Sequence, residues 1–296
     1  MTVPGGGGTG GTPSPSPTPA PPAYAAFDEL TGSQSFDADC AVGGDGGLDS
    51  FFAFPRGVIQ ATVSYDAESE EWGIEGLPIS VDLSFGPEDR LEDNTGDAIE
   101  YAGEDELGDS TSFRIFGGSY GQFEMDYVRT VTIRAGPEDR RMVAFCVMGV
   151  PTLGTDFPEV TAFSYDRVRF IGMVSVLDVA TVTNYSIYGS TVTLDVDRDK
   201  ADDALFATLS LIGAPPIGDP IDLGDYRLGA ALDLPDITFN GLMYYDTPEG
   251  PRVSPDFRGR FYGPQAGEVA FAVRSEARDT SVGESVQIVG LLVGVR

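Results

Sequence analysis

FRGRFYGPQAGEVAFAVR, which runs from Phe257 to Arg274, is the stretch that decides the fold. Its first half alternates, with Phe257, Gly259 and Phe261 on one side and two arginines and a tyrosine on the other. This alternation predicts a β-strand. Pro264 has no N–H to donate to a sheet, so the strand must end at the Gly-Pro corner. Alternate residues are apolar again from Val269, which predicts a β-hairpin whose aromatic rings fill a small barrel.

Other short runs have the same character. TVTLDVD, from Thr191 to Asp197, places three apolar residues on one face and polar residues on the other. Turn sequences such as GPEDR, DRDKADD and TPEGP separate these runs, and only YAAFDEL (24–30) and a turn near LEDNTGD (91–97) are predicted to be helical. With 38 glycines and 21 prolines, the chain is predicted to be all-β.

The chain divides into three predicted parts. Residues 1–22 hold a glycine run followed by Ser/Thr-Pro repeats, which cannot bury enough apolar surface to order themselves. They are predicted to form a disordered tether, either to a lipid anchor or as a plain tail. Residues 23–150 are predicted to form a β-rich N-terminal domain, and residues 151–296 an eight-stranded antiparallel β-barrel.

The charge and composition exclude several functions. The chain has 47 Asp and Glu against 18 Lys and Arg, a net charge of −29, which disfavours nucleic acid and anionic membrane surfaces and suits a basic protein partner. It contains no histidine, so Ser-His-Asp catalysis and histidine-ligated zinc or haem are excluded. We therefore predict no catalytic residues and no enzyme activity. No run approaches the roughly 20 apolar residues of a membrane-spanning helix.

Candidate metal, cofactor and disulfide residues are few. The Asp-rich run at 195–203 has lysine and phenylalanine where a calcium loop needs glycine and glutamate, so no metal site is predicted. Tyr244, Tyr245 and Tyr262 are candidates for haem ligation through a phenolate; alternatively, they line a β core. Otherwise no cofactor is predicted. Cys40 and Cys146 either form one disulfide or remain two buried thiols.

The hairpin sequence resembles a motif near the end of the transferrin-binding protein B β-barrel family, approximately G-x-F-Y-G-P-x-A-x-E. The matching residues are Gly259, Phe261, Tyr262, Gly263, Pro264, Ala266 and Glu268. A second stretch resembles the start of the barrel in alphaproteobacterial members through Gly149, Pro151, Thr152, Asp156 and Pro158. One departure is Val269-Ala270, where many members have two glycines. The resemblance implies that 23–150 is the handle-like domain and 151–296 the barrel.

The resemblance also implies a function. Family members are surface lipoproteins that include receptors for transferrin and haem-binding proteins. It implies a non-enzymatic binding protein at the outer membrane surface or outside the cell, which contributes to iron or haem acquisition through a protein partner. A leader and lipid-bearing cysteine would then precede the present numbering, and membrane contact would run only through that lipid anchor. The alternatives are a structural or adhesive cell-surface protein without a small-molecule ligand, and a hydrolase that uses two carboxylates.

Overall fold

The computed structural model describes residues 24–45, 48–54, 57–79, 82–92, 98–119, 123–247, 250–280 and 282–296. The predicted tether at 1–22 lies outside these residues. The described chain is almost entirely β-structure in two antiparallel sheets, which confirms the predicted fold class.

The first sheet contains eight strands from the N-terminal half of the chain. They are β1 (Gln34–Gly44), β2 (Val58–Asp66), β3 (Glu71–Glu75), β4 (Leu83–Phe85), β5 (Ala98–Glu104), β6 (Ser110–Phe116), β7 (Val128–Ala135) and β8 (Met142–Gly149). Their order in the sheet is β4-β3-β2-β1-β8-β7-β6-β5. A β-bridge between Arg90, just after β4, and Tyr101 of β5 brings the two edges together. The N-terminal sheet is therefore rolled almost into a closed barrel.

Side-chain alternation gives this sheet two buried faces. On β1, Ala38, Cys40 and Val42 point into an apolar core inside the roll, together with rings such as Phe85 and Phe113. The intervening residue Ala41 belongs to a different cluster outside the roll. Every residue from Ala38 to Gly44 is consequently buried, whereas a surface strand would be buried only on one side.

The second sheet forms the C-terminal barrel. Its strands are β9 (Ala162–Ser164), β10 (Arg167–Asp178), β11 (Thr181–Asp197), β12 (Leu205–Ala214), β13 (Ile221–Asp233), β14 (Thr238–Thr247), β15 (Gly250–Tyr262), β16 (Glu268–Thr280) and β17 (Gly283–Val295). Each of β11 to β16 pairs with the next strand in sequence, and β17 pairs with β10. Pairing of β10 with the first part of β11 closes a ring of eight strands. The short strand β9 adds to the second part of β11.

The barrel interior is filled by apolar side chains. Leu194 and Val196 of β11 are each 1% exposed, on the face that the alternation of TVTLDVD predicted. The aromatic side chains of the core lie mainly towards one end of the barrel, where Phe157, Phe239, Phe257, Phe261 and Phe271 meet. The interior is therefore a packed core.

The N-terminal sheet packs against the outside of the barrel. A third apolar cluster joins Ala41, Val143, Phe145 and Val147 of the sheet to Ala270, Ala272, Leu291 and Val293 of the barrel. Small alanine side chains on β16 allow the two sheets to approach closely. Strands β16 and β17 are consequently buried on both faces.

Two helical details differ from the prediction. YAAFDEL contains only a 3₁₀ turn at Phe27–Glu29, and a six-residue α-helix at Leu48–Ala53, α1, was not predicted. The glycines that precede this helix, together with its short length, left no periodic apolar pattern from which a helix could be predicted. Most of the predicted turn at 91–97 lies outside the described residues. Among the described residues, no helix combines the length and apolar character needed to cross a bilayer.

Candidate functional site

The family-like motif lies at the junction of the two sheets. It covers the end of β15, the turn at Pro264–Ala266 and the start of β16. Its alternating residues point in opposite directions, one set into the barrel and the other towards the N-terminal sheet. The motif is thus placed to connect the barrel core to the interface.

The inward side of the motif completes the barrel core. Phe261 is 1% exposed, and its ring centroid lies 5.1 Å from that of Phe157 and 5.2 Å from that of Phe239. Gly259 faces Phe271 on the neighbouring strand, and an added Cβ would overlap the Phe271 side chain. A residue without a Cβ at position 259 lets the Phe271 ring lie against the sheet.

The outward side of the motif carries two arginines to a buried carboxylate. Nε of Arg258 lies 3.1 Å from Oδ1 of Asp39, and Nε of Arg260 lies 3.7 Å from Oδ2. Asp39 is 1% exposed. Burial raises the pKa of Asp39, and the two guanidinium groups act against that rise. The strand pattern predicted these arginines on one face, but the sequence contains no local signal that the face would meet Asp39.

The corner itself is held by the second family-like stretch. The Thr152 hydroxyl donates to the Gly263 carbonyl at 2.7 Å. The Asp156 carboxylate accepts from the Gln265 backbone N–H at 2.9 Å and from its side-chain amide at 2.6 Å. Gly263 has φ +66°, and a Cβ there would overlap the Tyr127 ring. The two stretches that carried the resemblance in sequence are therefore in contact in the fold.

Glu268 fastens the corner to the N-terminal sheet. It is 5% exposed, and its carboxylate accepts hydrogen bonds from the backbone N–H groups of Asp126 and Tyr127, just before β7. Burial raises the pKa of Glu268 to about 7, although these N–H donors favour the ionised form. The raised pKa of Glu268 thus follows from its structural role at the interface.

The three candidate tyrosines are not brought together. Tyr245 points into the barrel core near Tyr226, with ring centroids 6.5 Å apart. Its neighbour Tyr244 lines a surface cleft outside the barrel. Tyr262 is 1% exposed in the interface cluster, and burial raises its pKa far above the usual range. Consecutive strand residues face opposite sides, so Tyr244 and Tyr245 cannot bind one iron atom together.

Cys40 and Cys146 lie directly opposite each other on β1 and β8. The structure joins them in a disulfide inside the N-terminal core, where both are fully buried. Within the described ranges, no group of three or more His, Cys, Asp or Glu side chains could hold a metal ion.

The most exposed apolar side chains lie at the end of the barrel remote from the motif. Val179 in the β10–β11 turn is 78% exposed, and Ile217 in the β12–β13 loop is 94% exposed. Because β10 to β13 run antiparallel in sequence order, these two connections lie at the same end of the barrel. We call the turn at 179–180 and the loop at 215–220 the hairpin end. The sequence signal for it was weak, a lone valine and an isoleucine in turn segments.

Val179 also has an unusual backbone. Two-residue hairpin turns favour residues with positive φ, which glycine normally supplies. Here Val179 adopts φ 56°, a conformation that is rare for a β-branched residue. Glu70, Ile237, Gln265 and Ala266 also have positive φ, but among these residues Val179 alone combines it with an exposed apolar side chain. Backbone strain can mark a functional surface, so the hairpin end is the candidate functional surface.

The chain is similar in structure to several solved proteins at low sequence identity. No family model matches the sequence, and no curated protein matches it. A double-mutant form of transferrin-binding protein B (TbpB) from Haemophilus parasuis is 10% identical, with a TM-score of 0.43 over 90% of this chain and 76% of that chain. The isotype 1 TbpB of serogroup B Neisseria meningitidis is 14% identical, with a TM-score of 0.48 over 88% of this chain and 43% of that chain. HpuA from Kingella denitrificans, solved in complex with human haemoglobin, is 10% identical, with a TM-score of 0.34 over 94% and 95%.

The chain resembles the TbpB-like fold family. This confirms the predicted resemblance at the level of fold. The contacts of the motif give it a structural role. Its phenylalanine fills the barrel, its corner binds Thr152 and Asp156 in the connection between the two sheets, and its glutamate holds the N-terminal sheet.

Proposed function

We propose that this chain is a non-enzymatic binding protein, surface-exposed or secreted, that holds a protein partner at the hairpin end of its barrel. The observation that carries the proposal is the pair of exposed apolar side chains, Val179 and Ile217, on turns of a barrel whose core is packed. Binding residues concentrate on loops that a rigid scaffold positions. Both side chains are accessible to a protein partner at the same end of the barrel.

The charge of the chain defines the partner further. At a net charge of −29, the protein attracts basic surfaces and repels acidic ones over a Debye length of about 8 Å at physiological salt. We infer that the partner presents a basic surface around an apolar contact. Its association rate should then fall as salt is added, because electrostatic steering is screened.

A more specific proposal is that the chain contributes to iron or haem acquisition. Of the three candidate tyrosines, Tyr244 alone lies on accessible surface, so direct haem ligation would depend on it. Iron delivered on a partner protein needs no such ligand. We therefore propose that the chain takes iron or haem through a protein partner.

Within this proposal, residues 23–150 and 151–296 are two domains that share the apolar interface, and residues 1–22 form the tether. Asp39 and Glu268 lie at the interface and are buried. Both carboxylates are held by groups across the interface. A rigid body of this kind would present the hairpin end in one orientation at the end of the tether.

The test is equilibrium binding by the immobilised full chain. Transferrin and haemoglobin, the proteins named for the similar structures, should be offered beside a small basic protein of unrelated function. Burying one valine or isoleucine contributes about 1.5–3 kcal/mol. A Val179→Gly/Ile217→Ser double variant should therefore weaken binding by about 100-fold or more.

The matched control is Leu107→Ser, which removes a 69% exposed apolar side chain from the β5–β6 turn of the N-terminal sheet. It should leave binding unchanged. Equal losses in both variants, or no loss in the double variant, would refute the assignment of the hairpin end. If the chain bound neither protein nor any other host protein, the structural or adhesive alternative would replace the binding proposal.

A further inference from the structure

The rolled N-terminal sheet has an open end that is separate from the hairpin end. A cavity of 460 Å³ lies there, within the size range of small-molecule pockets. It continues into the core of the roll: Ile115 belongs to that core, and Phe27 and Trp72 pack against it. Trp72 is the only tryptophan in the chain, so any ligand in this open-end cavity lies close to a unique fluorophore.

The cavity wall combines apolar side chains with one buried cation and three acidic residues. Its apolar lining residues are Phe27, Trp72, Ile99, Ile115, Phe116 and Met125. Arg129 of β7 also lines it, although that side chain is 4% exposed. Nη1 of Arg129 donates to the carbonyl oxygens of Met125 and Val128, each at 2.7 Å. The guanidinium lies 4.9 Å from the centroid of the Phe27 ring.

The carboxylate that neutralises Arg129 comes from a short segment at the start of the described chain. Oδ2 of Asp28 lies 2.8 Å from Nη2 of Arg129, yet the Asp28 side chain is 80% exposed. Asp28 belongs to a three-residue 3₁₀ turn that is held by a hydrogen bond from the Phe27 N–H to the Asp126 carbonyl and by stacking of Phe27 on Phe36. A buried cation requires a carboxylate partner, and here an exposed one on a three-residue turn supplies it.

We propose that the open-end cavity binds small amphipathic carboxylates, such as aryl-substituted or medium-chain aliphatic acids. The ligand's carboxylate takes the place of Asp28 on Arg129, and its apolar part packs against Trp72 and Ile115. Phe27 and Asp28 already present a ring and a carboxylate to Arg129 in this way. The N-terminal segment is thus a built-in competitor for the site.

The charges around the cavity predict an unusual salt dependence. Glu124 and Asp126 also line it, and the whole chain is strongly acidic, so both repel an anionic ligand. The pair with buried Arg129 is screened much less by salt than this surface repulsion. Carboxylate affinity should therefore rise on going from low to physiological salt.

The experiment titrates 4-phenylbutanoate and its uncharged analogue 4-phenylbutan-1-ol into the full chain. Binding is followed by Trp72 fluorescence and by calorimetry. The wild-type chain should bind the carboxylate more tightly than the alcohol. Asp28→Asn should raise the carboxylate affinity by about tenfold, the order of one charge-assisted hydrogen bond, and leave the alcohol affinity unchanged.

Asp126→Asn is the matched control, since it removes one negative charge from the cavity lining without removing the partner of Arg129. It should change the carboxylate affinity by less than about twofold, because the charge of Asp126 acts on the ligand only through solvent that contains salt. Equal gains in the two variants would overturn the proposal, because they would reflect net charge alone. It would also be overturned if the wild-type chain preferred the alcohol, or if calorimetry detected no saturable binding to the Asp28→Asn chain.

Discussion

Replacing Glu268 by glutamine should change how the stability of the protein depends on pH. The folded pKa of Glu268 is about 7, against an ordinary value of 4.5, because the carboxyl group is buried at the interface. An acid whose folded pKa is raised binds a proton more readily in the folded chain than in the unfolded chain. Its contribution to stability is therefore fully present below pH 4.5 and is lost as pH rises to about 7.

The size of the effect follows from that difference in pKa. The window from 4.5 to 7 spans 2.5 pH units, and each unit corresponds to about 1.4 kcal/mol, which gives about 3–4 kcal/mol in total, most of it lost above pH 4.5. Glutamine cannot ionise and keeps a carbonyl oxygen that can accept from Tyr127. The unfolding free energy of wild type minus that of Glu268→Gln should thus fall by about 3 kcal/mol between pH 4.5 and pH 7.5.

Urea unfolding at closely spaced pH values, followed by Trp72 fluorescence and far-UV circular dichroism, measures this difference. Subtracting the variant cancels the shared titration of the other carboxylates. Glu106→Gln, in an exposed turn of the N-terminal sheet, is the control, and its difference from wild type should stay level. A level or rising difference for Glu268→Gln would refute the argument that burial dominates at this carboxyl group.

Three further predictions concern the motif and the N-terminal core. Phe261→Ala should cost about 3–5 kcal/mol, as for a fully buried ring, and an unchanged thermal midpoint would contradict the packing described. Gly259→Ala should lower the unfolding free energy by about 1–3 kcal/mol because the added Cβ overlaps Phe271. The control Gly189→Ala, with open space around its Cβ, should not lower it, and equal thermal midpoints for the two variants would count against the close approach of β15 and β16. Cys40 and Cys146 should resist alkylation until they are reduced, and reduction should lower the unfolding free energy by roughly 2–5 kcal/mol. Alkylation of the unreduced chain, native or denatured, would show free thiols and contradict the disulfide.

Local sequence patterns predicted the strands and the inward face of the barrel. Phe257, Gly259 and Phe261 point where period-two alternation places them, because a strand in a barrel has one face on the core. Val192, Leu194 and Val196 do the same on β11: two are buried, and Val192 packs against the core.

The features that the sequence did not predict depend on contacts between distant parts of the chain. Arg258 and Arg260 look like ordinary solvent-facing residues until the N-terminal sheet places Asp39 opposite them. Similarly, the glutamate of the motif was recognisable, but its partners at 126–127 were not, because backbone N–H groups carry no sequence signal. The hairpin end was missed because single apolar residues in turns have no periodicity to detect.

The most direct test of the account is hydrogen–deuterium exchange on the chain with and without its bound protein partner. We expect new protection in peptides that cover the turn at 179–180 and the loop at 215–220, where Val179 and Ile217 are exposed. The motif corner at 263–268 is already buried and hydrogen-bonded, so its exchange should not change. Protection at the motif corner, with none at the hairpin end, would contradict the claim that the motif is structural and that the far end of the barrel binds.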